Sequence, residues 1–220
     1  TTSRQNAHEK LLGEFEKNKI DILIGTQMVA KGLDFPNVTL VGVVSADTML
    51  NIDDYRSSER SFDLLEQVSG RAGRAEKKGR AVIQTYSPEH NAIIYAKEHD
   101  YLSFYENEIA LRKAMWYPPF CEMVSVLFTG VNESLVSQCA KNFAKAVMPI
   151  KNSTQRIQIL GPVPAAITKI KNKYRWRIII KCANADRLTK ALYEAYEACG
   201  KNKNFEKISI VIDKNPNNIM

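Results

Sequence analysis

No apolar run in this chain approaches the roughly 18–20 residues that a membrane-crossing helix needs, and no secretory leader pattern is visible. Cysteine is scarce: Cys121, Cys139, Cys182 and Cys199 are scattered through 220 residues without a single Cys-x-x-Cys spacing. That spacing argues against a zinc site or a disulfide framework. It fits thiols that serve as small buried hydrophobes in a reducing, cytoplasmic setting. Histidine is scarcer still, and His8, His90 and His99 form no motif, so they read as surface residues and no metal site is expected. Low-complexity tracts are absent, and 45% hydrophobic with 25% charged residues is the composition of a globular chain. The length suffices for one large domain or two small ones. An opening of Thr-Thr-Ser-Arg in mid-pattern is what an excised fragment of a longer protein would show.

Charge is present but unevenly placed. The net charge is +7, yet residues 1–95 hold 12 Lys+Arg against 13 Asp+Glu, and residues 96–220 hold 19 against 11. Within 161–181 there are six basic residues and no acidic one. Such asymmetry points to a module that faces a polyanion, although many soluble surfaces are mildly basic without binding anything.

The two halves also differ in pattern. The first alternates: a helix over 5–17, a buried-type strand at 20–25, a nearly continuous apolar strand at 38–45, a helix over 57–69 and a strand at 80–86. Strands alternating with helices predict an α/β unit with a parallel, doubly wound sheet. A helical stretch over roughly 90–115 ends at Tyr117-Pro-Pro-Phe120, where Pro-Pro stops a helix and sets the domain boundary. Beyond it come a strand at 122–129, a helix at 133–148 and a strand at 156–160. A Gly-Pro-Val-Pro turn with a basic loop follows, then a strand at 174–181, a helix at 184–199 and a strand at 207–213. That order is β-α-β-β-α-β, the ferredoxin-like α+β arrangement, and it does not by itself name a function.

The octapeptide Gln67-Val-Ser-Gly-Arg-Ala-Gly-Arg74 carries the most chemical information. Guanidinium is permanently charged and forked, so Arg71 and Arg74 suit the terminal phosphate of a nucleotide, and glycines 70 and 73 let that nucleotide approach. Taken alone, a helix ending in a Gly turn with dipole-favoured arginines explains it as well. Residues 22–38 shift the balance: a short strand runs into a loop with Thr26, Gln27, Lys31, Gly32 and Asp34, at the carboxyl end of a sheet where open α/β folds bind ligands. Asp34 suits a ribose hydroxyl or a water near the phosphates, or else an Asx turn in Asp-Phe-Pro-Asn. With Gln67, Arg71 and Arg74 the nucleotide reading prevails, and Thr26, Gln27 and Lys31 become candidates for a nucleic-acid backbone. In Asp53–Arg60, Ser57 suits a helix cap, while a relay between the two sites is the competing reading.

In the second half Lys169, Lys171, Lys173, Arg175 and Arg177 interleave with Tyr174 and Trp176. Cations on phosphates and rings on bases would make a single-strand platform. Alternation along 174–180 instead puts Tyr174, Trp176, Ile178 and Ile180 on one strand face, the core face, and leaves the lysine loop as the contact.

These segments together resemble the primosomal replication-restart helicases, a branch of helicase superfamily 2. The resemblance rests on Gly25-Thr-Gln-Met-Val-Ala-Lys-Gly-Leu-Asp-Phe35, Asp54-Tyr-Arg-Ser-Ser-Glu-Arg60, Gln67–Arg74, Tyr117-Pro-Pro-Phe120 and Gly161-Pro-Val-Pro-Ala165. The first and third look like motifs V and VI. The resemblance implies that 1–95 is the C-terminal part of a second RecA-like helicase lobe, 96–116 a helical linker and 117–220 a C-terminal α+β DNA-binding domain. It implies an ATP-dependent helicase moving 3′→5′ that recognises stalled forks and restarts replication, with forked and single-stranded DNA, single-strand-binding protein and primosome loading proteins as partners and no membrane role. Gln67, Gly32 and Asp34 would meet ATP, and Arg71 and Arg74 would act catalytically. ATP and Mg²⁺ would serve the full-length enzyme, and zinc too, though not in this chain. No Gly-x-x-x-x-Gly-Lys-Ser/Thr, Asp-Glu-x-His box or cysteine cluster occurs here, so no hydrolysis is expected of this chain alone. An excision-repair helicase subunit and a non-catalytic nucleic-acid-binding module are the competing readings.

Overall fold

The computed structural model describes residues 7–17, 20–26, 38–70, 79–148 and 156–219. The chain divides into two compact units, one of residues 1–52 and 56–104, the other of residues 53–55 and 105–220.

In the first unit, α1 (Ala7–Glu16) precedes β1 (Leu40–Val43), the short α2 (Asp47–Leu50), α3 (Ser57–Ser69), β2 (Arg80–Ile83) and α4 (Asn91–Glu98). β1 and β2 pair in parallel, Leu40 opposite Arg80 and Val43 opposite Ile83. Both strands are shorter than the apolar runs predicted. The ladder is closed at its end by Asp47, whose carboxylate accepts from the Thr85 hydroxyl at 2.9 Å and the Tyr86 N–H at 3.1 Å. The strand expected at 20–25 is not formed: 20–26 carry no regular structure, and Ile22 and Ile24 are exposed. An apolar run becomes a strand only by pairing, and this one has no neighbour among the described residues.

Helices α3 and α4 bury one face each, Phe62 and Leu65 against Ala92, Ile93 and Ala96, with Val43 and Ile83 of the strands packed alongside. Phe104 stacks on Phe62 at 4.2 Å between centroids. The helical stretch 90–115 proves to be two helices. α4 is capped by His90, whose Nδ1 accepts the Ala92 N–H, and stops at His99 in the left-handed region, φ 54°. Asp100 then accepts the Ser103 N–H at 3.0 Å and starts α5 (Tyr101–Ala114). His90 is therefore a capping residue, and His99 Nδ1 lies 3.0 Å from Glu66.

The second unit contains β3 (Glu122–Gly130), α6 (Glu133–Val147), β4 (Ile157–Ile170), β5 (Lys173–Cys182), α7 (Thr189–Gly200) and β6 (Ser209–Lys214). Strand order β4-β5-β3-β6, antiparallel throughout, is the split-βαβ topology expected from the sequence. α6 begins at Asn132, whose side chain accepts the Leu135 N–H, and repeats Val136, Ala140, Phe143, Ala144 and Val147 at helical spacing. That stripe packs on Val124, Val126 and Phe128 of β3 and on Ile178, Ile180 and Cys182 of β5; α7 adds Leu192, Ala195 and Cys199. Trp176 packs against this core, so the alternation along β5 holds. All four cysteines are free and buried; burial pushes the Cys182 thiol up to about 11, far from reactive.

The Gly161-Pro-Val-Pro164 segment is not a turn. It lies inside β4, where the register with β5 shifts between Leu160 and Val163 and again between Pro164 and Lys169. An edge strand tolerates prolines because the missing N–H faces away from the ladder. Gly161 is obligatory: its φ is 95°, and a Cβ there would sit 2.8 Å from the Arg177 carbonyl.

The sheet's other face holds a smaller core of Trp116, Cys121, Met123, Ile179 and Ile219, flanked by Tyr55 and Tyr117. The two tyrosine rings stack at 5.1 Å. Lys181 is buried here: its ammonium donates to the Met115 carbonyl at 3.1 Å and sits 3.4 Å from the Tyr117 ring centroid. Among the described residues no helix is long and apolar enough to cross a membrane.

Burial holds the Lys181 ammonium below the usual lysine range. A lysine depressed in the native state releases its proton there first, so the unfolded chain binds more protons and stability rises with pH through that window. Denaturant titrations at neutral pH and near pH 10 should therefore show the wild type gaining stability relative to Lys181→Met as pH rises; a constant difference would refute it.

Candidate nucleic-acid interface

The polar residues singled out by sequence fall in two regions, each within its own unit. In the first unit the positioning element is α3. Ser61 donates to the Ser57 carbonyl at 2.7 Å, and Phe62 and Leu65 fix the buried face. The cap at this helix start is Arg56, with no side-chain hydrogen bond, so Ser57 is the first helical residue and not its cap. Gln67 is exposed, and Ser69 closes the last turn by donating to the Leu65 carbonyl at 2.7 Å. α3 ends at Gly70, whose φ of −66° is an ordinary right-handed value. A Cβ there would lie 3.3 Å from the Glu66 carbonyl. Thr26 is exposed. Gln27, Lys31, Gly32, Asp34, Arg71 and Arg74 lie outside the described residues.

In the second unit the element is the β4–β5 hairpin. Lys169 pairs with Tyr174 and Ile170 with Lys173, leaving only Lys171 and Asn172 as the turn. Their φ values of 48° and 61° are those of a two-residue turn with both residues left-handed. The basic loop read from the sequence is thus mostly strand, and the signal overlooked was Lys-Asn, since asparagine tolerates a positive φ. β3 pairs with β5 as far as Gly130 opposite Tyr174, so the hairpin's last residues extend past their neighbour.

Lys169 places its ammonium 4.6 Å from the Tyr174 ring centroid, an arrangement with cation–π character. Lys171 and Lys173 are exposed and make no ion pair among the described residues. Arg175 donates to the Ile167 carbonyl at 3.2 Å and is braced across the hairpin. Arg177 departs from this set. It donates to Asp53 and, at 2.6 Å, to the Ile219 carbonyl, and its side chain is only 12% exposed. It is committed inside the fold, so the expected five-residue basic surface is a four-residue one.

Among the described residues no group of three or more His, Cys, Asp or Glu is arranged to hold a metal.

A family model described as the primosomal protein N C-terminal domain matches residues 113–217, and one described as the helicase conserved C-terminal domain matches residues 2–76. The chain is 47% identical over 217 residues to the replication restart protein PriA of Bacillus subtilis, covering 98% of this chain and 27% of that protein. It is 45% identical over 181 residues to the Synechocystis protein of the same name, covering 82% of this chain and 22% of that one. With the Haemophilus influenzae protein, also so named, identity is 35% over 219 residues, 100% of this chain and 30% of the relative. The chain therefore spans under a third of the length of these relatives.

With Arg177 donating to Asp53 and to the Ile219 carbonyl, Arg177→Ala should cost about 1.5–3 kcal/mol of stability, the worth of hydrogen bonds to a charged group. The slope of DNA affinity against salt should stay that of the wild type. A flattened slope at unchanged urea midpoint would return Arg177 to the interface.

Proposed function

The chain belongs to the PriA replication-restart family, and on that footing we propose that it is part of an ATP-dependent DNA helicase that moves 3′→5′, recognises stalled forks and restarts replication through primosome assembly. In this reading Arg71 and Arg74 are arginine fingers. They lie just past α3, stabilise charge developing on the transferred phosphoryl group, and are assisted by Gln67. Gly32 and Asp34 line the nucleotide, and Thr26, Gln27 and Lys31 follow the DNA backbone. Lys169, Lys171, Lys173 and Arg175 grip phosphates of forked or single-stranded DNA. The cytoplasm is the setting, with single-strand-binding protein and primosome loading proteins as partners.

One observation carries the reading: the helicase match over 2–76 takes in both polar segments, and α3 between them is anchored by Phe62 and Leu65 with Gln67 facing outward. The residues here do not fit a magnesium–phosphate cradle, because the sequence contains no Gly-x-x-x-x-Gly-Lys-Ser/Thr loop. No step through the metal is assigned to them. Zinc fits no better, since all four thiols are buried in apolar cores. What the chain contributes is charge at two places: beside the nucleotide and along the hairpin.

Grafted in place of the matching segment of the Bacillus subtilis relative, the chain should support DNA-stimulated ATP turnover, and Arg74→Ala should lower that turnover by roughly 10³ with DNA binding retained. Turnover equal to that of the unmutated graft would remove the finger assignment. The 220-residue chain by itself should show no hydrolysis above blank. For the hairpin, changing Lys169, Lys171 and Lys173 together to Ala should flatten the dependence of log Kd on log salt by about two to three charges. An unchanged slope would make the hairpin a structural element.

A further inference from the structure

At the end of the β4–β5 hairpin stands a side chain that phosphate binding does not explain. Ile170, the last residue of β4, is 43% exposed, and Ile167 nearby is 51% exposed. Ile170 lies between Lys169 and Lys171 in sequence and directly across from Lys173. The core that holds the sheet together reaches along β5 only as far as Trp176, and β3 stops pairing opposite Tyr174. Nothing among the described residues covers the tip. A β-branched apolar side chain here is costly to leave in water, and the turn does not require it: the left-handed positions are Lys171 and Asn172, not Ile170.

The ligand chemistry follows from this mixture. An intact duplex offers a hairpin tip its phosphates and a continuous stack, with no apolar face open at the surface. An interrupted stack offers both phosphates and the exposed face of a base, and isoleucine is among the side chains that wedge against unstacked base steps. Building on the reading of this hairpin as a DNA contact, we propose that its tip recognises the junction between single- and double-stranded DNA. Ile170 packs on the base face exposed at the break, and Lys169, Lys171 and Lys173 hold the phosphates on either side. Tyr174 holds the Lys169 ammonium, 4.6 Å from its ring centroid, so that the cation is positioned before DNA arrives. Specificity for the broken stack therefore belongs to the isoleucine, and affinity for nucleic acid of any structure to the lysines.

The test uses the 220-residue chain with two DNAs of equal phosphate number, a fork carrying 2-aminopurine at its junction and a covalently closed duplex minicircle, which has no open ends, carrying one 2-aminopurine within the stack. The wild type should bind the fork at least roughly fivefold more tightly than the duplex, the scale of removing a half-exposed isoleucine side chain from water. It should also brighten the junction fluorophore alone. Ile170→Ser should bring the affinity ratio close to one and abolish the brightening, and Ile170→Leu should restore both. The position is exposed, so a urea midpoint matching the wild type's should accompany each variant.

Equal fork and duplex binding by the wild type, or an undiminished ratio in Ile170→Ser, overturns the junction assignment and leaves the phosphate grip intact. Failure of the wild type to bind either DNA overturns the underlying nucleic-acid reading instead. Ile170-dependent binding to phosphatidylserine vesicles, without fork preference, would make the tip a lipid contact and equally overturn the proposal.

Discussion

The second unit depends on β3 being paired along both of its edges. β5 lies on one side over nine residue pairs and β6 on the other over six. With both hydrogen-bonding edges satisfied, β3 can bury both faces: Val124, Val126 and Phe128 meet the helices, while Met123 joins the smaller core beneath. An apolar strand with an open edge would carry unpaired N–H and C=O groups into that interior at a cost larger than its side chains return. The helices follow from the strand. α6 and α7 have apolar stripes because β3 and β5 present a closed apolar floor.

The same pairing sorts the cations of β5. Residues on one side of the strand recur every second position, so Lys173, Arg175, Arg177 and Lys181 share the face away from the helices. Where β5 runs beside β3 over the second core, the cations are used internally: Lys181 by the Met115 carbonyl and Tyr117, Arg177 by Asp53 and Ile219. Past the end of β3 only β4 still pairs with β5, and Lys173 is left to solvent. A single strand thus carries both structural and outward-facing charges.

Elements with strong periodicity were legible in the sequence. The helices at 57–69 and 133–147 and the strand at 122–130 fall within a residue or so of their expected limits, because their apolar repeats are long and uninterrupted. The run at 20–25 misled because composition reports what a strand would bury but not whether a partner is present. The stretch at 90–115 concealed a break whose cause is local, a left-handed His99 followed by a capping Asp100. At the hairpin, residue type identified the cations but could not distinguish the committed one. The partners of Arg177 are 124 and 42 positions away in the chain, and no local pattern connects them. Gln67 sits at an exposed position of α3.

The register shifts in β4 have an effect on the molecule's dealings with its own copies. β4 is an edge strand of the sheet, and a long edge strand of fourteen residues would be a template for a second chain to add to. Pro162 and Pro164 remove two donors from its middle, and the register slips interrupt the row of groups that remains. A visiting strand would find no continuous row of hydrogen-bonding groups to follow. A hairpin able to offer a basic, partly apolar tip to solvent is thereby kept from polymerising along its own side.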